Sequence, residues 1–244
     1  MTVTRPAVLQ TLADLIRINS VNPNYLAGVP ESGVIDYVEA FFQSRSIKTT
    51  RQSVQPHRDN LIASIPGRDH HRKMIFEAHV DTVSVDGMTI QPFDPVIKNG
   101  RMYGRGACDT KSGLAGMMHA LADVAVSVVP PPCDIWFVAT VDEEFAYRGV
   151  AEFCRDLDPA TCPVAVVAEP TELQPIIASK GLIRWIIETT GVAAHSAKPH
   201  LGVNAITSMM HVLQALEHDG LQLTRRSHPL LGPATCNVGV IRGG

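Results

Sequence analysis

Paired cysteines are missing. The five present, Cys108, Cys133, Cys154, Cys162 and Cys236, are odd in number, scattered and never in a CxxC spacing. This argues against a disulfide framework or a structural zinc knot and leaves reduced thiols. Long apolar runs are missing too: nothing approaches the ~20 consecutive apolar residues that span a bilayer. The opening segment MTVTRPAVLQTLADLIRI has no basic stretch followed by a long apolar run and a small-residue cleavage site, so no export signal is read there. A soluble, cytoplasmic protein is expected. Nor is there a basic stripe or block. With 21 Lys and Arg against 24 Asp and Glu, and a net charge of -3, neither nucleic acid nor an anionic membrane is expected as a partner, and the ligand should be small. Internal repeats and low-complexity segments are likewise absent.

What is present suits a globular fold. The chain has 244 residues, 45% of them apolar and 18% charged, enough for a buried core in one large or two modest domains. Apolar spacing predicts helices near residues 5–18 and over Ser32 to Phe42, separated by the turn-forming NSVNPNYLAGVPE. Compact apolar runs at Asn60 to Ser64, Met74 to His79, Ile135 to Val141 and Val164 to Ala168 read as strands buried on both faces. A helix is expected from Ser112 to Val128, stopped by Pro130-Pro131-Pro132. Strand, helix, strand recurs, which favours an α/β sandwich with helices over a parallel or mixed sheet and ligand sites at loops beyond strand ends. After Ser179-Lys180-Gly181 the rhythm changes. A strand-like Leu182 to Thr190, the turn-rich GVAAHSAKPHLG, a helix from about Asn204 to Glu217 and a strand-like Thr235 to Ile241 read as a second α+β unit. The closing Gly243-Gly244 signals a turn.

Four strand-to-loop junctions carry chemically capable side chains. Glu77-Ala78-His79-Val80-Asp81 places His79 and Asp81 on the same side of an extended backbone. This suits a metal ligand and the group that orients it, although an ordinary hydrogen-bonded pair has the same pattern. The loop GRGACDTKSG delivers Asp109 just before a helix. There it suits a cation bridge, or equally a helix N-cap shared with Thr110 or Ser112; a phosphate loop is disfavoured because the Walker spacing is absent and an acid would oppose phosphate. Asp142-Glu143-Glu144 leaves an apolar strand as three adjacent acids, a costly arrangement unless solvent or cations screen it. Glu169 follows another apolar strand, with Pro170 ending the pairing.

In this order the motifs HVD, GRGACDTKSG, DEE, AEPT and GVAAHSAKP resemble the peptidase M20 family, which includes acetylornithine deacetylase, succinyl-diaminopimelate desuccinylase, aminoacylase and glutamate carboxypeptidase. The resemblance covers nearly the whole chain. It implies a zinc-peptidase-like α/β sandwich with helices around a mixed sheet, plus part of an inserted α+β lid or dimerisation domain. Residues 1–179 would form the metal-binding catalytic domain and 180–244 the partial lid. Two divalent metals are implied, zinc first, with cobalt or manganese as alternatives. By the same resemblance, His79 and Glu169 would bind one metal, Asp109 would bridge both, and Glu144 would bind the second. Asp81 would orient His79. Glu143 would be the general base while metal-bound hydroxide attacks an N-acyl amino acid or short peptide amide. His195, in AHSAKP, would stabilise the oxyanion of a neighbouring subunit's site, implying a homodimer; a loop histidine beside Ser196 has the same local sequence.

Family members run longer, and their chains return to finish the sheet and supply one more metal-binding histidine. A fragment of a longer enzyme is therefore expected, marginal on its own because of unpaired strand edges and exposed apolar faces. The alternative from another class is a non-catalytic metal-binding or dimerising remnant. A nucleotide-binding α/β protein is disfavoured by the acidic loops.

Overall fold

A computed structural model describes residues 5–243. The chain divides into two compact units, Met1–Leu173 and Gln174–Gly244. Residues 1–4 and Gly244, which closes the expected Gly-Gly turn, lie outside the described residues. No described helix is long and apolar enough to cross a membrane.

In the first unit, helices α1 (Arg5–Arg17) and α2 (Ser32–Gln43) precede strands β1 (Lys48–Gln55), β2 (Arg58–Ile65) and β3 (Asp69–His79). A hairpin of β4 (Val96–Lys98) and β5 (Arg101–Tyr103), helix α3 (Lys111–Ala125), strand β6 (Cys133–Thr140), helix α4 (Arg148–Arg155) and strand β7 (Val164–Val167) follow. Five strands form one sheet in the order β1-β2-β6-β3-β7. The β1/β2 and β2/β6 pairs are antiparallel, and the β6/β3 and β3/β7 pairs are parallel. The fold is thus α/β with a mixed sheet.

Side-chain period explains which surfaces meet. In α2, Val34, Ile35, Val38, Phe41 and Phe42 are buried at helical spacing; in α3 the same stripe is Leu114, Ala115, Met118 and Leu121. These pack with Leu12, Leu15 and Ile16 of α1 against alternate residues of the sheet, where the register pairs Leu61 with Ala139 and Ala63 with Phe137. Burying each of the larger side chains there contributes ~1.5–3 kcal/mol. The other sheet face carries a smaller cluster of Ile75, Val138 and Phe153, with Trp136 packed against it.

The sequence reading needs correction at several points. Val164, Val166 and Val167 are exposed, because β7 is an edge strand paired only with β3. The helix expected to reach Val128 ends at Ala125. β1 was not expected; its sequence, KTTRQSVQ, lacks a buried apolar run and earns its place by pairing with β2. The β4–β5 hairpin turns at Asn99-Gly100, both with positive φ (52° and 73°), as an Asn-Gly turn between strands does.

In the second unit, α5 (Ala205–Leu223) is capped by Asn204, whose side chain accepts from the Thr207 amide at 3.0 Å. Short strands β8 (Ser227–His228) and β9 (Gly232–Pro233) pair antiparallel. The strands expected over 182–190 and 235–241 do not form among the described residues. A strand needs a neighbour to take its N–H and C=O groups, and none pairs with either segment; Ile183, Ile186 and Val240 stay exposed.

Candidate metal centre

Because β3, β6 and β7 run parallel, their carboxyl ends lie along one edge of the sheet, where loops of such folds gather ligands. His79 closes β3, the turn Asp142-Glu143-Glu144 follows β6, and Glu169 follows β7. Asp109 arrives from the loop before α3. That loop is fixed on two sides. The Thr110 hydroxyl donates to the Ala168 carbonyl at 2.9 Å. Gly113 lets α3 approach so closely that a Cβ there would sit 2.6 Å from the Ala168 Cβ. The buried Lys111 ammonium donates to the carbonyls of Leu15 and Ile18 at the end of α1; burial lowers its pKa to about 7. Thr110, not Asp109, stands at the N-cap of α3, and its side chain makes no cap hydrogen bond.

The imidazole of His79 is buried. Its Nδ1 lies 3.1 Å from the Asp81 carbonyl oxygen, which only accepts, so Nδ1 carries a hydrogen. Nε2 faces carboxylates: Asp109 Oδ1 at 3.1 Å and Glu169 Oε1 at 3.9 Å. Ligand-capable atoms of His79, Asp109 and Glu144 all lie within 4.8 Å of one another. Crowding around one imidazole shifts Glu144, Glu169 and the ring itself. Burial and the neighbouring carboxylates push Glu144 and Glu169 up to about 7. For His79, burial pulls the pKa down, but the hydrogen bond to Asp109 and the negative charge of the nearby Asp81 and Glu143 carboxylates outweigh it and push it up to about 11. An imidazolium proton offsets charge that a divalent cation would offset better, and the donors, one imidazole and several carboxylates, suit zinc, cobalt or manganese. The residues fit the group.

Asp81 reaches His79 through its main chain. Its carboxylate is 3.6 Å from His79 Nδ1, longer than a hydrogen bond. Instead it accepts the backbone N–H groups of Glu143 and Glu144, each at 3.0 Å, and the Asn22 side-chain amide at 2.8 Å. The imidazole is oriented by the Asp81 backbone carbonyl.

The three adjacent acids also divide. Asp142 is fully buried, with φ at +66°. It accepts from Asn22, from Arg58 across 84 residues and from Arg148 six residues on. Arg58 in turn donates from Nε and Nη2 to the two oxygens of the buried Glu31. Asp142 is therefore matched by guanidinium groups, while Glu144 joins His79 and Asp109. The network residues Asn22, Glu31 and Arg58 escaped the sequence reading. Asn22 sits among turn formers and Arg58 opens β2 just after a hairpin turn, and nothing local marks either as a partner of Asp142. His195, in the second unit, accepts the Ala197 N–H at its Nδ1 at 3.1 Å, which leaves Nε2 as the protonated nitrogen of the neutral ring.

The model of peptidase family M20/M25/M40 matches residues 75–231. The acetylornithine deacetylase of Myxococcus xanthus is 32% identical, over all of this chain and 64% of its own length. A peptidase M20 domain-containing protein of Schizosaccharomyces pombe is 30% identical, over 94% of this chain and 54% of its own. The chain thus spans between about half and two thirds of these curated relatives. Among solved structures, a tripeptidase from Staphylococcus aureus superposes with a TM-score of 0.63 at 21% identity, covering 100% of this chain and 62% of that one, a likeness of fold.

Proposed function

The chain belongs to peptidase family M20/M25/M40, and from that premise we propose that the protein hydrolyses the amide bond of an N-acyl amino acid or short peptide with two divalent cations, zinc first. One observation carries the reading: the buried His79 keeps Nδ1 on a carbonyl and turns Nε2 towards the carboxylates of Asp109 and Glu169. The named activity of the M. xanthus relative inclines the substrate towards N-acyl amino acids.

In this reading His79 and Glu169 hold one cation, Glu144 the other, and Asp109 bridges them. When bound, the cations acidify water and polarise the scissile carbonyl. Glu143, not a ligand, takes the water's proton and later passes it to the departing amine nitrogen. Asp81 holds the Glu143-Glu144 backbone and, through its carbonyl, the His79 ring. His195 would donate from Nε2 to the developing oxyanion of a neighbouring subunit in a homodimer. Residues 1–179 would be the catalytic part and 180–244 the lid part.

The test measures metal content and turnover of acyl amino acids on the full-length protein and its Glu143→Gln variant. About two cations per chain in both, with turnover lost ~10²–10⁴-fold in the variant, support the reading. Cations retained without turnover in either favour the non-catalytic metal-binding alternative, and absence of bound cations removes the basis for both.

A further inference from the structure

The loop over residues 19–28 belongs to no helix or strand, yet Asn22 and Tyr25 in it bond directly to Asp81, Asp142 and Glu144. It docks beside the end of β3: the Asn22 amide donates to the Thr82 carbonyl at 2.9 Å, and Thr82 donates to the Ser20 carbonyl at 2.9 Å. The Asn22 side chain is fully buried. Its oxygen accepts from the backbone and side-chain nitrogens of Asn24 at 3.0 and 2.9 Å. This fixes which way the amide points. Its nitrogen then donates to Asp81 at 2.8 Å and to Asp142 at 2.9 Å. A neutral donor thus joins two buried carboxylates that would repel one another if brought together bare.

Those carboxylates grip one turn. Asp81 receives the amides of Glu143 and Glu144, and Asp142 opens the turn in a left-handed conformation while its carbonyl accepts from Tyr147 at 2.7 Å. The same loop contributes a further hold: the Tyr25 hydroxyl donates to the Glu144 carbonyl at 2.9 Å, and its ring meets Phe145 edge to face at 6.5 Å. The three peptide planes that flank Glu143 and Glu144 are therefore anchored to this loop, two through Asp81 and one directly by Tyr25.

We infer that Asn22 and Tyr25 are positioning residues that aim the Glu143-Glu144 turn, Asn22 by clamping Asp81 to Asp142 and Tyr25 by holding the Glu144 carbonyl. The catalytic consequence rests on the proposed function, in which Glu143 is the base and Glu144 a ligand. The positional consequence does not. Small displacements of a reacting group cost far more in turnover than in substrate binding, so the effect falls on kcat.

Asn22→Ala and Tyr25→Phe are made in the full-length protein and read in two ways. In the metal-loaded enzyme, kcat falls ~10–100-fold for Asn22→Ala and ~3–10-fold for Tyr25→Phe, with KM within ~3-fold of wild type. In the metal-free protein, hydrogen exchange at the Glu143 and Glu144 amides quickens at least ~10-fold in Asn22→Ala while the β1–β2 hairpin keeps its protection. Wild-type exchange at those two amides in both variants overturns the inference. So does acceleration spread evenly over the first unit, which marks a merely structural residue. If Asn22→Ala does not fold, Tyr25→Phe decides alone: a kcat loss with local exchange supports the role, and wild-type values in both readouts sink it. A wild-type protein without cations or turnover defeats the proposed function instead, and the exchange result still judges the clamp.

Discussion

One charge system has two ends that are built differently, the first buried and the second reaching the surface. At the Arg58 end, Glu31 and Asp142 meet Arg58, with Arg148 joining from the surface, and the acids are matched by bases. At the His79 end, Asp109, Glu144 and Glu169 surround a single imidazole. The first end is complete within the protein. The second gathers three carboxylates around one imidazole, and in the metal-free protein burial and that crowding let Glu144 and Glu169 keep protons that carboxylates ordinarily lose. Acidic residues alone do not distinguish structure from chemistry; the supply of partners does.

The comparison breaks most completely at Asp109. Asp109→Ala removes the proposed bridge, so affinity for both cations should fall by more than ~100-fold each, a larger loss than that of an outer-shell partner. Calorimetric metal titration against wild type checks this. At the other end, Arg58→Met strands Glu31 and Asp142 in the interior. Breaking a buried pair on one side costs ~3–5 kcal/mol, so the urea midpoint should drop sharply whether or not metal is present.

Between these ends, legibility in the sequence followed locality. His79, Asp109, Glu144 and Glu169 stood out as candidates because each lies at or within four residues of a strand end or a helix start, and their order along the chain, not any one local pattern, carried the family resemblance. Which of Asp142, Glu143 and Glu144 is structural was not readable, since the answer lies in Arg58, a partner 84 residues away. The same limit governs strands. β3 and β6 announce themselves by apolar runs, and β1 exists only through its pairing with β2. Segments 182–190 and 235–241 have the apolar pattern without a partner, and no strand results.

A milder perturbation sharpens the contrast. Gly113→Ala pushes a Cβ into Ala168, spreading the loops that carry Asp109 and Glu169. Overpacking of this kind costs ~1–3 kcal/mol, and metal affinity should fall with stability, whereas the Arg58 end is untouched. The smallest effect is with pH. Glu144 and Glu169 have folded pKa values near 7 against 4.5 for free carboxyls, so their contribution to metal-free stability is complete below pH 4.5 and is lost as pH rises through 7. His79, raised from 6.5 to about 11, extends the loss upward. Thermal melts should show the metal-free protein weakening from about pH 5 to 8, while the added stabilisation by zinc grows over the same interval.

Lys111 gives the first helix a schedule. Its ammonium supplies donors to the last carbonyls of α1, and the Leu15 partner is 96 residues earlier in the chain. At about 5–20 residues per second, a ribosome needs roughly 5–20 s to add that stretch. Throughout that time α1 is out or emerging with its apolar stripe uncovered and its end unfinished. The helix made first waits for the start of α3 to be completed, and the residue that completes it is the one that seats the loop carrying Asp109.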